Sequence, residues 1–181
     1  MKIDLPEIDV YSIPIPKNER IRKTIHALGA FFSIPLLLDK NFSLYMIAIG
    51  FVFYTLVAVT KQPKFLYSLH RHKKDRGTLM YFAGLAIPTI IFSTPVAVTS
   101  IIFLTVGDSM NKVLNIWFTN EFHARLFNGI IAMVPIAIMY PIFAFPAFVG
   151  TIMAQEVKQA NDNLTIPILV GLLCSLMEII T

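Results

Sequence analysis

Charged residues are scarce in this chain of 181 residues. Lys, Arg, Asp and Glu together make up 14% of it and hydrophobic residues 56%, whereas soluble domains average about 25% charged residues. Cysteine occurs once, at Cys174, which excludes an intrachain disulfide. No internal repeat is visible, which argues against a secondary transporter. These features exclude an ordinary soluble domain and predict an all-α, polytopic integral membrane helical bundle.

The apolar sequence divides into about five to seven stretches that could cross a bilayer, some of them short or kinked by proline. Residues 1–17 contain prolines among acidic and apolar residues, and this pattern predicts an extended N-terminal arm. No apolar run precedes Ala27, so we expect no cleavable signal sequence. Residues 18–181 are predicted to form a single membrane-embedded domain.

Basic residues concentrate in segments 17–23 and 61–77, which the positive-inside rule places on the cytoplasmic side. Between them, a polar turn at residues 39–41 leads into residues 42–60, the clearest spanning helix. The net charge of +4 therefore marks cytoplasmic loops. It is too modest to indicate a nucleic-acid partner.

A second hairpin is predicted from the apolar stretches 78–92 and 95–118, turning at Ser93. The first of these arms is short, and the second runs from the outside to the cytoplasmic side. Residues 119–128 are more polar, which predicts a cytoplasmic loop or a surface helix at the end of this hairpin.

The apolar run 129–153 contains several prolines, so it forms either one kinked span or two short arms that turn near residues 140–141. This choice decides on which side of the membrane the rest of the chain begins. A last apolar span, 164–180, follows a polar stretch, and Asn163 is the predicted helix cap. Glu178, near the end of that span, is interpreted as a solvated terminal residue.

One carboxylate lies inside an otherwise uncharged stretch. Asp108 and Lys112 are four residues apart in the sequence between residues 95 and 118, which contains no other charge. A buried Asp in a span costs about 2.5–3.5 kcal/mol on insertion scales, and such residues usually serve a function. The two residues are therefore either a structural ion pair or a site where Asp108 binds a metal or a reacting group. In the second case, Gly107 would let a ligand approach the backbone closely.

Polar side chains recur along the segment that leads into the first apolar stretch. Glu19, Arg22, Lys23 and His26 follow one another at helical spacing, which places them on one face of a helix. Basic anchoring at the membrane surface would explain the Arg and Lys residues. It does not explain a Glu and a His on the same face, so a functional role is the alternative.

Four short motifs occur in a recognisable order. They are Glu19-x-x-Arg22-Lys23-x-x-His26, then Gly107-Asp108, then the basic residue Arg125 ahead of Gly129, and last Glu156 followed by Asp162-Asn163-Leu164-Thr165-Ile166-Pro167. Together they resemble the CTP-dependent lipid-alcohol kinase family, which includes dolichol kinase, phytol and other polyprenol kinases, and CTP-dependent diacylglycerol kinase. That family is similar to the CDP-diacylglycerol synthases. The resemblance covers residues 17–170.

The resemblance implies a membrane kinase that transfers the γ-phosphoryl group of CTP to a polyprenol, dolichol or diacylglycerol. It implies that Asp108, His26 and Glu156 are catalytic and that Asp108, Glu156 and Asp162 bind Mg²⁺. His26 would accept or relay the hydroxyl proton. The residues implied to bind the nucleotide and its phosphates are Arg22, Lys23, Gly107, Lys112, Arg125 and Asn163.

Departures from the family pattern accompany the resemblance. Asn111 and Lys112 stand where the family has small residues, Arg125 stands in place of a Lys, and Asn128 stands in place of the Glu of a Glu-Gly pair. These differences would alter nucleotide choice or mark a copy whose chemistry is lost. A cytidylyltransferase that makes a CDP-lipid and a non-catalytic lipid-binding protein are therefore the alternative functions.

The implied partners are CTP, a lipid alcohol and membrane lipids, with Mg²⁺ as the cofactor and without nucleic acid. A homo-oligomer is compatible with this set. Because CTP is cytoplasmic, all four motifs must reach the cytoplasmic side of an integral membrane protein. This requirement favours two arms over one span in residues 129–153, since a hairpin returns Glu156 to the side from which the chain left.

Overall fold

A computed structural model describes residues 23–24, 26–61, 76–107, 120–157 and 161–181. This part of the chain forms seven α-helices and contains no strand, which confirms the prediction of an all-α bundle. The helices are α1 Ser33–Leu38, α2 Lys40–Thr60, α3 Arg76–Ile91, α4 Thr94–Ile102, α5 Glu121–Met139, α6 Pro141–Glu156 and α7 Asp162–Ile180. The predicted arm 1–17 lies outside the described residues.

The hairpin of α1 and α2 turns at a single residue. Asp39 has extended backbone angles (φ −160°, ψ 133°), and its carboxylate accepts a hydrogen bond of 2.7 Å from the backbone N–H of Phe42. This is an ordinary N-cap, which satisfies one of the backbone donors left over at a helix start. Lys40 therefore already belongs to α2, and the predicted polar turn of three residues is too long. The predicted span is confirmed, with 21 residues in α2.

The second hairpin turns where predicted, at Ser93, whose backbone is extended (φ −61°, ψ 157°). Pro95 lies in the first turn of α4, where the missing N–H costs nothing. All residues of α4 from Val96 to Ile102 are buried, so this helix runs through the centre of the bundle. It continues as a π-helical turn, Phe103–Gly107, a conformation that is rare and frequent at functional sites.

Residues 121–156 form a helical hairpin. Asn120 caps α5 by accepting a hydrogen bond of 2.8 Å from Phe122 N–H, so the polar residues after it form the first turns of a helix and not a loop. The chain leaves helical geometry at Tyr140 (φ −143°, ψ 70°) and resumes it at Pro141. The two-arm prediction is confirmed, but the arms have 19 and 16 residues, which at about 1.5 Å per residue is close to full membrane depth rather than half of it.

Helix α7 begins two residues earlier than predicted. Asn161, not Asn163, is its cap, and its side chain accepts a hydrogen bond of 3.1 Å from Asn163 N–H. Asp162 is then in the first turn, where a negative charge complements the helix dipole. Helix α7 packs against α6, α3 and α4, which places the last helix against the core.

Among the described residues, three helices have the length and composition of membrane spans: Lys40–Thr60, Phe122–Met139 and Asp162–Ile180. The shorter apolar helices are His26–Leu38, Gly77–Ile91 and Thr94–Gly107. Large apolar side chains are exposed along one face of α2, among them Ile49, Val52 and Leu56. Such a face suits lipid contact, because a bilayer accepts exposed apolar surface that water would not.

Candidate functional site

The helix hairpins bring the polar motifs to one end of the bundle. We call this the motif end and define it by Lys23 and His26, the start of α3, Gly107 at the end of α4, Arg125 to Asn128, Gln155 and Glu156, and the start of α7. The opposite end, which we call the turn end, consists of Asp39 and Lys40, Phe92 and Ser93, Tyr140 and Glu178. The contacts below establish these two groups.

Lys23 and His26 lie on the buried side of the first helical segment. Only 6% of Lys23 and 8% of His26 is exposed, and they are one helical turn apart, as the one-face prediction requires. The His26 ring packs edge-on against Tyr81, with 4.0 Å between ring centroids. The Tyr81 hydroxyl donates a hydrogen bond of 3.0 Å to the His26 carbonyl oxygen. This burial does not fit simple anchoring of Lys23 at the membrane surface. Glu19 and Arg22 lie outside the described residues.

Tyr81 also ties this segment to the end of α4. A Cβ atom at Gly29 would overlap the Tyr81 hydroxyl and would lie 3.1 Å from the Thr105 Cγ2 atom. The helical segment that contains Gly29, helix α3 and the π-helical turn therefore meet at a point where residue 29 has room only for a hydrogen atom. Gly107 follows Thr105 by two residues, so His26 and the π-helical turn belong to the same end of the bundle.

The start of α7 is fixed to the start of α3 by Asn163. Its side-chain Nδ2 donates a hydrogen bond of 2.8 Å to the Gly77 carbonyl oxygen. Its own carbonyl oxygen lies against Gly84, where any Cβ would overlap it. Pro167 explains why this oxygen is turned outward, because a proline four residues on has no N–H to donate to it. In this structure Asn163 thus joins helices, while its predicted contact with a nucleotide stays a prediction.

Arg125 and Glu156 close the open end of the α5–α6 hairpin. Arg125 Nη1 lies 3.0 Å from Glu156 Oε1 and 3.3 Å from the Gln155 carbonyl oxygen. The Glu156 side chain is more than half exposed and that of Arg125 about one-fifth. The structure therefore brings a predicted phosphate-binding cation and a predicted metal-binding carboxylate into direct contact across 31 residues of sequence.

Gly107 packs between the two arms of that hairpin. A Cβ added there would lie 3.7 Å from the Thr151 Cγ2 and 4.0 Å from the Ala132 Cβ, both ordinary contact distances. Packing within the described residues therefore does not require glycine at this position. Asp108, Asn111 and Lys112, on which the ion-pair and metal hypotheses depend, lie outside the described residues.

Two residues of this end were not among the predicted site residues. Asn128 is fully buried and Gln155 is 7% exposed, and in the described part of the chain neither side-chain amide has a hydrogen-bond partner. In the sequence, Asn128 stands out only as a departure from the family pattern, and Gln155 is adjacent to the more conspicuous charged residue Glu156. An amide within an apolar helix is the signal that could have identified both, because such groups are costly there.

The described residues include no group of three or more His, Cys, Asp or Glu side chains arranged to hold a metal ion. Glu156 and Asp162 nevertheless lie at the same end of the bundle, because α6 ends and α7 begins there. Carboxylates of this kind suit Mg²⁺, which binds proteins through one or two carboxylates and keeps several waters. The third predicted ligand is Asp108.

The structure thus brings most of the predicted site residues to the motif end: Lys23, His26, Gly107, Arg125, Glu156, Asp162 and Asn163. Arg22, Asp108 and Lys112 lie outside the described residues. Comparison of the chain with protein-family models, with curated proteins and with solved structures finds no match.

Proposed function

We propose that this protein is an integral membrane kinase that transfers the γ-phosphoryl group of CTP to a lipid alcohol at the cytoplasmic leaflet. One observation supports the proposal above the others. Predicted site residues from five separate segments, four of which contribute polar side chains, lie at the same end of an apolar bundle. Charged and polar groups at membrane depth are costly, and they usually mark a functional site.

The residue types at the motif end suit phosphoryl transfer. This reaction requires mainly positioning and the stabilisation of charge on phosphate oxygens. Lys23 and Arg125 supply cations there, and Lys23 is buried, where its charge acts in a medium of low dielectric constant. Glu156 and Asp162, with Asp108, would hold Mg²⁺. When bound, this ion would neutralise negative charge on the triphosphate. His26 would receive the proton of the attacking hydroxyl group.

We infer the direction of the motif end from the ends of α2 and α3. Lys61, the C-cap of the first, and Arg76, the start of the second, lie at this end, and the sequence between them is basic. The positive-inside rule favours a cytoplasmic position for such a segment. CTP would then reach the motif end from the cytoplasm, and the lipid alcohol would arrive sideways from the bilayer.

The activity is tested with the purified full-length protein, Mg²⁺, each of the four nucleoside triphosphates, and a panel of prenols and diacylglycerols. The proposal expects a phosphorylated lipid together with CDP. Release of pyrophosphate and formation of a CDP-lipid would instead identify a cytidylyltransferase. Absence of turnover with every pair would contradict both enzymes and favour a lipid-binding protein.

A matched pair of lysine variants connects the activity to the motif end. Lys23→Met should lower turnover by about 100-fold, since it removes a cation from the proposed phosphate site. Lys40→Met removes a lysine at the turn end, where the Lys40 ammonium hydrogen bonds to the Phe92 carbonyl oxygen, and should change turnover less than about threefold. Equal effects of the two variants would contradict the placement of the site.

The orientation is tested by labelling single cysteines in sealed vesicles, in a Cys174→Ser background. Val157→Cys places a thiol at an exposed position of the motif end, and Asn41→Cys places one at an exposed position near the turn end. A membrane-impermeant maleimide applied from the cytoplasmic side should label the first and not the second. The opposite pattern would exclude a cytoplasmic motif end.

A further inference from the structure

We infer that Asn128 and Gln155 bind the hydroxyl group of a neutral lipid alcohol between α5 and α6. The inference deepens the proposed function and rests on it for the role of this alcohol as the phosphoryl acceptor. Two buried amides present an acceptor oxygen and a donor NH₂ group each. In the described part of the chain, all four of these atoms lack a hydrogen-bond partner.

The contacts of Arg125 place the two amides in the same seam. Its guanidinium reaches the Gln155 carbonyl oxygen on α6, and Asn128 follows Arg125 by three residues on α5, hence on the same face. One further turn along each helix, Ala132 and Thr151 both lie against Gly107. Asn128 therefore lies one turn inside Arg125 and Gln155 directly before Glu156, and each shares a helix face with a residue that lies against Gly107.

Unpaired buried amides are costly for a protein that keeps them for structure alone. A buried donor or acceptor without a partner loses its hydration and gains nothing in return. The hydroxyl groups of Thr89, Ser100 and Thr151, which are also buried, each donate to a backbone carbonyl four residues earlier. The two amides thus differ from these three buried hydroxyl groups of the bundle, and a ligand would supply the hydrogen bonds that they lack.

The chemistry of the seam selects a hydroxyl group among the ligands of such an enzyme. Amides are neutral, so a triphosphate would be drawn to Lys23 and Arg125 instead. Asn128 is fully buried and the Phe148 ring lies 2.7 Å from where a Gly129 Cβ would be, so a group that enters by local movement of side chains must be far smaller than a nucleobase ring. A hydroxyl group is small and both donates and accepts, so it can bond to an amide oxygen and an amide NH₂ at once.

The test compares an alcohol with its methyl ether. The full-length protein is purified in detergent without nucleotide, and its thermal unfolding midpoint is measured with geranylgeraniol and with geranylgeranyl methyl ether, which has the same tail and no hydroxyl donor. The inference expects a larger rise with the alcohol. Equal rises would overturn it, and this is also the result expected if the amides held only an ordered water.

Two variants of similar shape remove the amides separately, Asn128→Leu and Gln155→Met. Each should abolish the difference between alcohol and ether, and each should raise the midpoint without ligand by about 2–4 °C, because an unsatisfied buried group is removed. Thr89→Val, which removes a buried hydroxyl that is already bonded within α3, should keep the difference. A lower midpoint without ligand in both amide variants, or an intact difference, would overturn the inference and indicate a structural role.

Kinetics separate this inference from the proposed function. With CTP and a prenol, Asn128→Leu and Gln155→Met should raise KM for the alcohol at least about tenfold while KM for the nucleotide stays within about twofold. Turnover with an unchanged alcohol KM would overturn the inference and leave the kinase standing. Preference for the alcohol in the binding experiment without any phosphoryl transfer would do the reverse.

Discussion

The two ends of the bundle treat their polar groups differently. At the turn end, the Lys40 ammonium donates to the Phe92 carbonyl oxygen, and the Ser93 hydroxyl lies 2.8 and 2.9 Å from the two oxygens of Glu178. Glu178 is thus tied to the turn between α3 and α4 and is not merely a solvated terminal residue. Each of these groups closes a hairpin or caps a helix, which is sufficient reason for its presence.

At the motif end, the polar groups exceed what the fold requires. Lys23 and His26 are buried there, and Asn128 and Gln155 keep four amide atoms without partners in the described part of the chain. A sequence selected only for stability would replace such groups by apolar residues. The ends differ in that the polar groups named at the turn end have structural partners, whereas two buried amides at the motif end have none in the described part of the chain, and we propose that another molecule completes them.

The largest expected effect on stability is at the motif end, where α7 packs against α3. Gly84→Ala places a methyl group where the Asn163 carbonyl oxygen lies, and a backbone atom cannot move aside as a flexible side chain can. We expect a loss of at least about 3 kcal/mol in the free energy of unfolding, measured by titration with a denaturing detergent.

Gly77→Ala is the matched control for this substitution. A Cβ at residue 77 would lie 4.0 Å from the Asn163 Nδ2 atom, an ordinary contact distance. Alanine favours helices more than glycine does, so stability should stay equal or rise by up to about 1 kcal/mol. Similar losses for the two variants would show that α7 does not approach α3 at Gly84.

A smaller effect is expected at the turn end. Ser93→Ala removes the hydroxyl that bonds to Glu178 and should lower the free energy of unfolding by about 1 kcal/mol, since the pair is exposed. Phosphoryl transfer should change less than about twofold, because the turn end holds none of the proposed site residues. A thermal melt and the kinase assay measure both. A fall in turnover beyond the fall in folded protein would contradict the division of the two ends.

Much of this fold could be predicted from the sequence because polar residues and prolines mark the positions where its helices end. Ser93 with Pro95, and Tyr140 with Pro141, end apolar runs that would otherwise continue, and both turns occur where they were predicted. The start of α5 was predicted as a loop or a surface helix, and the structure has a helix there that is continuous with the apolar span. Polar residues at the end of a long helix look like a loop when only hydropathy is considered, and the cap at Asn120 does not distinguish the two.

The site could be predicted only as a set of residues at one end. Hairpin topology predicts that His26 and Arg125 lie on the same side of the membrane, and the requirement that CTP reach all four motifs adds Glu156 to that side. The contacts themselves, such as Tyr81 with His26 and Asn163 with Gly77, depend on how each helix rotates about its axis. Rotation is set by packing across 55 and 86 residues of sequence, which no local pattern encodes.

The smallest expected effect on stability is at the Arg125–Glu156 ion pair. The Arg125–Glu156 pair is partly exposed, so Arg125→Met, Glu156→Gln and the double variant should each change the free energy of unfolding by about 1 kcal/mol or less. A double-mutant cycle on denaturant unfolding measures the coupling between the two residues. At the turn end, such small effects would leave activity intact. At the motif end, each single variant should lower phosphoryl transfer by about 100-fold, because the guanidinium and the carboxylate are proposed to face the triphosphate and its Mg²⁺. If activity instead fell only in proportion to stability, the pair would have a purely structural role, like that of Ser93 with Glu178. The two ends of the bundle would then not differ in function.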